Sequence, residues 1–235
     1  MYVGKFATTL VTMMLSISTA MADTAPTVTA NIGLVSDYVW RGVSQTRGRP
    51  AVQGGIDFAD PSGFSLGTWA SNVDFDLPSN NPNYEWDFYA GYSSQVEGLG
   101  YNITTAYYAY PNGKDSDFWE LGLSGTWDMF TVGLAYTLTG QAKGDNPFRN
   151  GDVYYYGSMS YPLPQDFKLG VTLGYYDFDR LGGSADYINW QVSISKEVPY
   201  LGTFSFTYDQ NDGGSSEAVA TDNDPRIWIG IKKTF

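Results

Sequence analysis

The chain has 235 residues, a formal charge of −12, and neither Cys nor His. Those absences exclude disulfides, thiolate chemistry and Cys-ligated zinc, and remove Ser-His and Cys-His nucleophile pairs with the commonest metal ligand. The balance of 13 basic against 25 acidic residues argues against nucleic acid as a partner, because such binding depends on neutralising phosphates with Lys and Arg.

The chain begins with a secretory pattern. Lys5 supplies a short positive region, Phe6 to Ala20 is apolar and small, and Ala20-Met21-Ala22 forms an A-x-A cleavage site. Residues 1–22 are therefore predicted to be a cleaved signal peptide and residues 23–235 a single domain. A membrane anchor is the alternative, but the stretch is short and ends in a cleavage motif. Past residue 23 there is no run of 18 apolar residues, so a transmembrane helix is not expected.

The rest of the chain shows period-2 alternation, in segments near the length of a tilted spanning strand. Val28, Ala30, Ile32 and Leu34 alternate with polar neighbours, as do Val52, Gly54, Ile56 and Phe58. Phe64 to Phe75 is less clean, because Trp69 interrupts the apolar face begun by Phe64 and Leu66. Tyr84, Trp86, Phe88, Ala90 and Tyr92 oppose Glu85, Asp87 and Tyr89. Tyr101, Ile103, Thr105 and Tyr107 oppose Asn102, Thr104, Tyr108 and Tyr110. Trp119, Leu121, Leu123 and Trp127 oppose Glu120, Ser124 and Thr126. The second half repeats the style in segments around Val132–Leu138, Val153–Tyr161, Phe167–Tyr175, Ile188–Ile194, Phe204–Tyr208 and Ile227–Phe235.

These twelve segments are joined alternately by short and long connections. The short ones are Asp60–Gly63, Ser94–Gly98, Asp128–Met129, Pro162–Asp166 and Lys196–Gly202. The long ones are Arg41–Arg49, Asp76–Asn83, Pro111–Asp117, Thr139–Gly151, Asp177–Ala185 and Gln210–Pro225. Such alternation suits a barrel with extracellular loops and periplasmic turns. The pattern predicts an all-β fold: a transmembrane, antiparallel, up-and-down barrel of about twelve strands in the Gram-negative outer membrane, with both termini periplasmic. A soluble sandwich would carry about 25–35% charged residues on its water-facing side. Here only 16% of the chain is charged, and the polar face is mostly Gly, Ser, Thr, Asn and Tyr.

The end of the chain fits as well. Ile227, Ile229, Ile231 and Phe235 share one face, resembling the terminal signal of outer-membrane barrels, with Lys233 as the departure. Four further stretches carry a family resemblance: Ser36–Gln45 (SDYVWRGVSQ), Pro50–Asp57 (PAVQGGID), Ser62–Val73 (SGFSLGTWASNV) and Tyr84–Asp87 (YEWD). They resemble the TorF family of exported porins, densely over the first third of the chain. The resemblance implies an outer-membrane pore and supplies no substrate or site.

If the polar faces line a lumen, Asp37, Asp57, Glu85, Asp87, Glu120 and Asp209 stand there against Arg41, Lys168, Arg226 and Lys232. That excess of acids would mildly favour cations, unless the groups pair across the lumen and only hold its shape. Glu85 and Asp87 would repel each other unless a base reached them, with Arg41 or Arg226 the expected partner. Tyr89, Tyr108, Tyr110, Tyr154, Tyr156, Tyr176 and Tyr187 share the inner face, as a stacking surface for a polar solute or as volume fillers. Arg41, Arg47 and Arg49 form a basic cluster that could bind lipopolysaccharide phosphates, fold inward as a constriction, or remain a solvated turn. Asp145-Asn146 and Asp222-Asn223-Asp224 are acidic loop tips where calcium could bind, but they lack the EF-hand pattern.

The expected function is a porin-like channel for passive diffusion of small hydrophilic solutes, with no catalytic residue, metal site or cofactor. Its loops are too short for a globular plug, which favours an open or gated lumen. The alternatives are a structural or adhesion barrel without transport, and an outer-membrane enzyme, for which the lack of His is unfavourable. Expected partners are outer-membrane lipid, lipopolysaccharide, the barrel-assembly machinery and the solute, with a homo-oligomer left open. Sequencing the amino terminus of the protein recovered from outer membranes should begin at Asp23; a blocked or intact Met1 would overturn the cleavage.

Overall fold

A computed structural model describes residues 25–75, 81–143, 147–179, 185–213 and 223–235. The signal segment, Asp145, Asn146 and Asp222 lie outside them. The strands are β1 (Thr27–Val35), β2 (Val39–Trp40), β3 (Val43–Ser44), β4 (Ala51–Ala59), β5 (Phe64–Asn72), β6 (Tyr84–Val96) and β7 (Leu99–Ala109). They continue as β8 (Phe118–Trp127), β9 (Phe130–Gly140), β10 (Val153–Pro162), β11 (Phe167–Asp177), β12 (Tyr187–Val198), β13 (Gly202–Asn211) and β14 (Arg226–Thr234). All but β2 and β3 join one closed antiparallel barrel of twelve strands, as the alternation predicts.

Closure falls on β1, which pairs with β4 on one side and β14 on the other. The terminal residue takes part: Phe235 N–H donates to Ala30 O at 2.8 Å, and Ala30 N–H returns a bond to Phe235 O at 3.2 Å. The twelve barrel strands keep no free edge, which removes the exposed donors and acceptors of an open sheet. One end of the barrel carries tight turns and the other carries the long connections; these are the turn end and the loop end. β6 and β12 run to Val96 and Val198, so their turns are tighter than the alternation suggests. At the turn joining β4 to β5, Ser62 donates its backbone N–H (2.9 Å) and its hydroxyl to Asp60 Oδ1. Those two donors hold the Asp60 carboxyl below its usual range.

The two faces of the sheet are inverted relative to a water-soluble protein. Leu66, Ile103, Leu123, Val132, Leu173, Val192, Phe206 and Ile229 project outward and are exposed. Exposed rings flank this apolar band: Phe64, Trp127, Phe130 and Tyr161 at the turn end, Tyr84, Trp86, Trp119 and Tyr155 at the loop end. A band of this kind between aromatic girdles is what a hydrocarbon surrounding requires. Lys233 also becomes intelligible. It lies at the turn end, donates from Nζ to Tyr200 O at 2.6 Å and reaches over the Phe235 ring, so its charge extends past the apolar band.

Inside, glycine makes room for tyrosine. Gly67 and Gly133 pair in register with Tyr89 and Tyr156, and each ring lies where a glycine Cβ would be. Gly174 leaves the same space for Tyr154. Trp69, which interrupts the outer face in sequence, points inward and packs edge-on against Tyr38 at 5.5 Å.

The alternation of connections places residues 41–49 among the external loops, whereas their arginines also allow an inward constriction, and the structure takes the second course. The segment between β1 and β4 turns inward, and the β2–β3 hairpin buries Tyr38, Val39, Trp40 and Arg41 within the barrel. Apolar side chains within that segment have nowhere else to be buried, since the outer face of the barrel offers them no covered surface.

Replacing Leu123 by Arg should cost about 2–4 kcal/mol, as expected for a cation placed on the lipid face near mid-strand. Reversible unfolding of the barrel in lipid vesicles measures it; no loss would mean that this face contacts water.

Candidate functional site

The site is built from the inner face of the loop-end half and the hairpin that crosses it. Trp40 and Val43 pair across the hairpin, leaving Arg41 and Gly42 as its two central residues. Both have positive φ, 48° and 84°, as a type I′ turn requires. Gly42 is indispensable there: a Cβ would fall 2.5 Å from that of Asn189 on β12, and Asn211 on β13 donates to Gly42 O at 2.7 Å. The tip therefore abuts the wall directly.

Arg41 projects from this tip into an aromatic cage. Its Nη1 and Nη2 donate to Glu120 Oε1 and Oε2, each at 2.8 Å. The guanidinium carbon lies 4.2 Å from the Trp40 ring centre, 4.4 Å from Tyr154 and 5.3 Å from Tyr176. Tyr108 (3.2 Å) and Tyr176 (3.3 Å) donate hydroxyl bonds to the same carboxylate. Arg41 is 8% exposed and Glu120 3%. A buried pair of this geometry contributes little net stability against an apolar substitute, but removing one partner typically costs about 3–5 kcal/mol, because the other charge is left stranded.

Other contacts fasten the hairpin on every side. Trp40 packs with Tyr108, Phe118, Phe148 and Tyr176 at ring separations of 5.7–6.5 Å. Asp37 accepts the hydroxyls of Ser44 (2.5 Å) and Thr46 (3.1 Å) and faces Arg226 Nη1 at 3.3 Å. Tyr38 donates to Glu85 at 3.4–3.5 Å.

The residues singled out in the sequence thus divide into separate groups. Arg41, Glu120, Tyr108, Tyr154 and Tyr176 form the cage, and Asp37 with Arg226 holds the base of the hairpin. The expected pairing of Glu85 and Asp87 with Arg41 or Arg226 is not formed, because Glu120 and Asp37 hold those two cations. Glu85 is 2% exposed and Asp87 1%, and among the described residues no donor reaches either Asp87 oxygen. Asp209 is likewise buried and accepts from Gln191 Nε2 at 2.5 Å. Asp57, half-buried, accepts from Tyr89 (2.5 Å) and Asn31 (3.3 Å). Tyr156 lies half-buried below Tyr154.

Lys168 and Lys232 lie apart, near the turn end. There the lumen is lined by half-buried Ser93, Asn102, Ser124, Ser158 and Ser193. The basic cluster also separates: Arg41 is inside, whereas Arg47 and Arg49 face Asp74 of the next loop at 3.8 Å and 2.8 Å. Trp40, Phe118, Phe148 and Phe178 complete the aromatic packing, and sequence reasoning misses all four. Phe118 offers a signal, since it continues the inward face of Glu120 one step beyond the alternating segment.

A family model covers residues 19–235 and carries the description "Bacterial protein of unknown function (Gcw_chp)". The chain belongs to the Gcw_chp family. Membership spans the entire barrel and assigns no activity to it. No curated protein matches the chain. Among solved structures, the KdgM porin superposes with a TM-score of 0.55 at 13% identity, covering 88% of this chain and 99% of that one. The KdgM porin in complex with disordered oligogalacturonate gives 0.54 at 13%, covering 88% and 98%. The NanC porin gives 0.55 at 11%, covering 88% and 98%. The Gcw_chp chain therefore shares its barrel fold with these porins.

Gly42→Val should undock the hairpin, since both its φ and its contact with Asn189 exclude a side chain. Hydrogen exchange of the amides of Val39–Ser44 should speed markedly while the barrel strands stay protected; unchanged exchange would contradict the tight docking of the tip.

Proposed function

We propose that the chain is a porin-like channel of the Gram-negative outer membrane, passing small hydrophilic solutes and mildly favouring cations. The observation that carries this reading is the division of the interior. The turn-end half is lined by hydroxyl, amide and lysine side chains, half-buried at Ser93, Asn102, Ser124, Ser158 and Ser193 and buried at Thr172, Ser195, Ser205 and Thr207. Among the described residues, by contrast, the β2–β3 hairpin closes the loop-end half. A barrel built only as an anchor has no need of a polar, half-exposed lumen. The shared fold of the KdgM and NanC porins and the resemblance to the TorF porins support the same reading. Periplasmic termini, a cleaved leader, and contact with lipid, lipopolysaccharide and the assembly machinery go with that location.

Cation preference comes from the balance of the inner face. Asp37, Asp57, Glu85, Asp87, Glu120 and Asp209 outnumber Arg41, Lys168, Arg226 and Lys232, and the pairing of Arg41 with Glu120 and of Arg226 with Asp37 leaves that excess of acids unchanged. An acidic oligosaccharide such as the oligogalacturonate found with the KdgM porin would meet this excess unfavourably. With the hairpin in place Glu85 and Asp87 are sealed, so they act on permeating ions only once it has moved. The completeness of that seal favours a second reading, a structural barrel that never conducts.

Planar-bilayer recording across a salt gradient separates the two. Discrete conductance steps with a reversal potential on the cation side support the channel, and Glu85→Gln with Asp87→Asn should reduce that preference. A folded barrel that stays silent would favour the structural reading; unchanged selectivity in the double variant would remove these carboxylates from the path.

A further inference from the structure

Arg41 is an unusual residue for its position. The first central residue of a type I′ turn is commonly Asn, Asp or Gly, because the left-handed conformation crowds a longer side chain. Here an arginine holds φ 48°, a conformation that Arg47, Gln165 and Tyr200 also adopt in this chain. What sets Arg41 apart is the cage around its guanidinium.

Apart from the Trp40 ring at 4.2 Å, the cage belongs to the wall rather than to the hairpin. Glu120 lies on β8, Tyr108 on β7, Tyr154 on β10 and Tyr176 on β11. The hydroxyls of Tyr108 and Tyr176 both donate to the carboxylate, and that of Tyr176 also accepts from Arg41 Nη1 at 3.1 Å, so the wall supplies an acceptor beside the carboxylate fork. Both carboxylate oxygens face one planar group, and Tyr154 offers its ring face to that group at 4.4 Å. This is recognition suited to a guanidinium. A carboxylate fork takes its two parallel N–H bonds, while a rounded, strongly hydrated ammonium presents a single point of charge. The occupant, by contrast, sits on a hairpin whose strands are two residues each.

We propose that Glu120, Tyr108, Tyr154 and Tyr176 form a receptor for alkylguanidinium solutes, which Arg41 occupies as a built-in competitor, so that such a solute displaces the β2–β3 hairpin from the lumen. The displacement step rests on the channel reading above; the receptor itself does not. A tethered competitor acts at an effective concentration in the millimolar range or higher, so free solute must exceed that level in the wild-type protein. Removing the Arg41 side chain vacates the receptor and takes away the charged anchor that holds the hairpin across the lumen.

The test uses full-length mature barrel refolded in detergent, with folding verified by heat-modifiable migration. Wild type, Arg41→Ala and Arg41→Ala with Glu120→Gln are titrated with ethylguanidinium and, separately, ethylammonium, following tryptophan fluorescence and the unfolding midpoint. Arg41→Ala should bind ethylguanidinium saturably, with ethylammonium weaker by at least about tenfold. The added Glu120→Gln should abolish the response. No saturable response in Arg41→Ala, equal response to both cations, or retention in the double variant would overturn the receptor. If Arg41→Ala does not fold, Arg41→Lys keeps a cation in the cage with weaker anchoring. Ethylguanidinium should then act at lower concentration than in wild type, and equal concentrations would overturn the proposal. In planar bilayers Arg41→Ala should conduct and be blocked by ethylguanidinium. Conduction without block counts against the receptor, whereas binding in micelles with silent bilayers upholds the receptor and overturns the channel reading.

Discussion

Closure of the sheet through β1 is the constraint on which the rest of this molecule depends. A strand with an apolar outer face cannot present unpaired amides and carbonyls to hydrocarbon, so every strand needs two partners. β1 obtains its second partner from β14, and the bonds between Ala30 and Phe235 extend the seam to the final residue. Closing the ring places the apolar residues outside and the polar ones inside, and it encloses a space that must be wetted or filled.

The two halves of the barrel answer that need differently. Toward the turn end, short hydroxyl and amide side chains leave the lumen half-exposed. Toward the loop end, tyrosines seated over glycines narrow it, and the β2–β3 hairpin completes the filling. The filling is adjustable in principle, because it belongs to a connection and not to a strand. Its buried charges come in matched sets, Arg41 with Glu120 and Asp37 with Arg226. Glu85, Asp87 and Asp209 are buried acids outside these two pairs; Tyr38 donates to Glu85 and Gln191 to Asp209.

Much of the fold was legible in the alternation. Tyr84, Trp86 and Phe88 opposite Glu85, Asp87 and Tyr89 can satisfy a sheet with two unlike faces and little else. The site was legible only as a roster of inward residues. Nothing local distinguishes Glu120, which receives a guanidinium, from Asp87, which receives no donor, because both simply face inward on their strands. The pairing of Arg41 with Glu120 joins positions 79 residues apart. The direction of the first connection was left open: its length suits an external loop, while its arginines also suit an inward constriction.

The sequence by itself determined strand number, the sense of each face and the alternation of turns with loops. These come from the two-residue period of a β-strand, which every short segment expresses independently. It also determined that the interior would be rich in tyrosine and acid. Only the tertiary structure decided that the first connection enters the lumen, that Arg41 rather than a solute fills the cage, and which acids are left without a base. Those outcomes depend on distances across the closed ring, and such distances exist only once β1 and β14 have met.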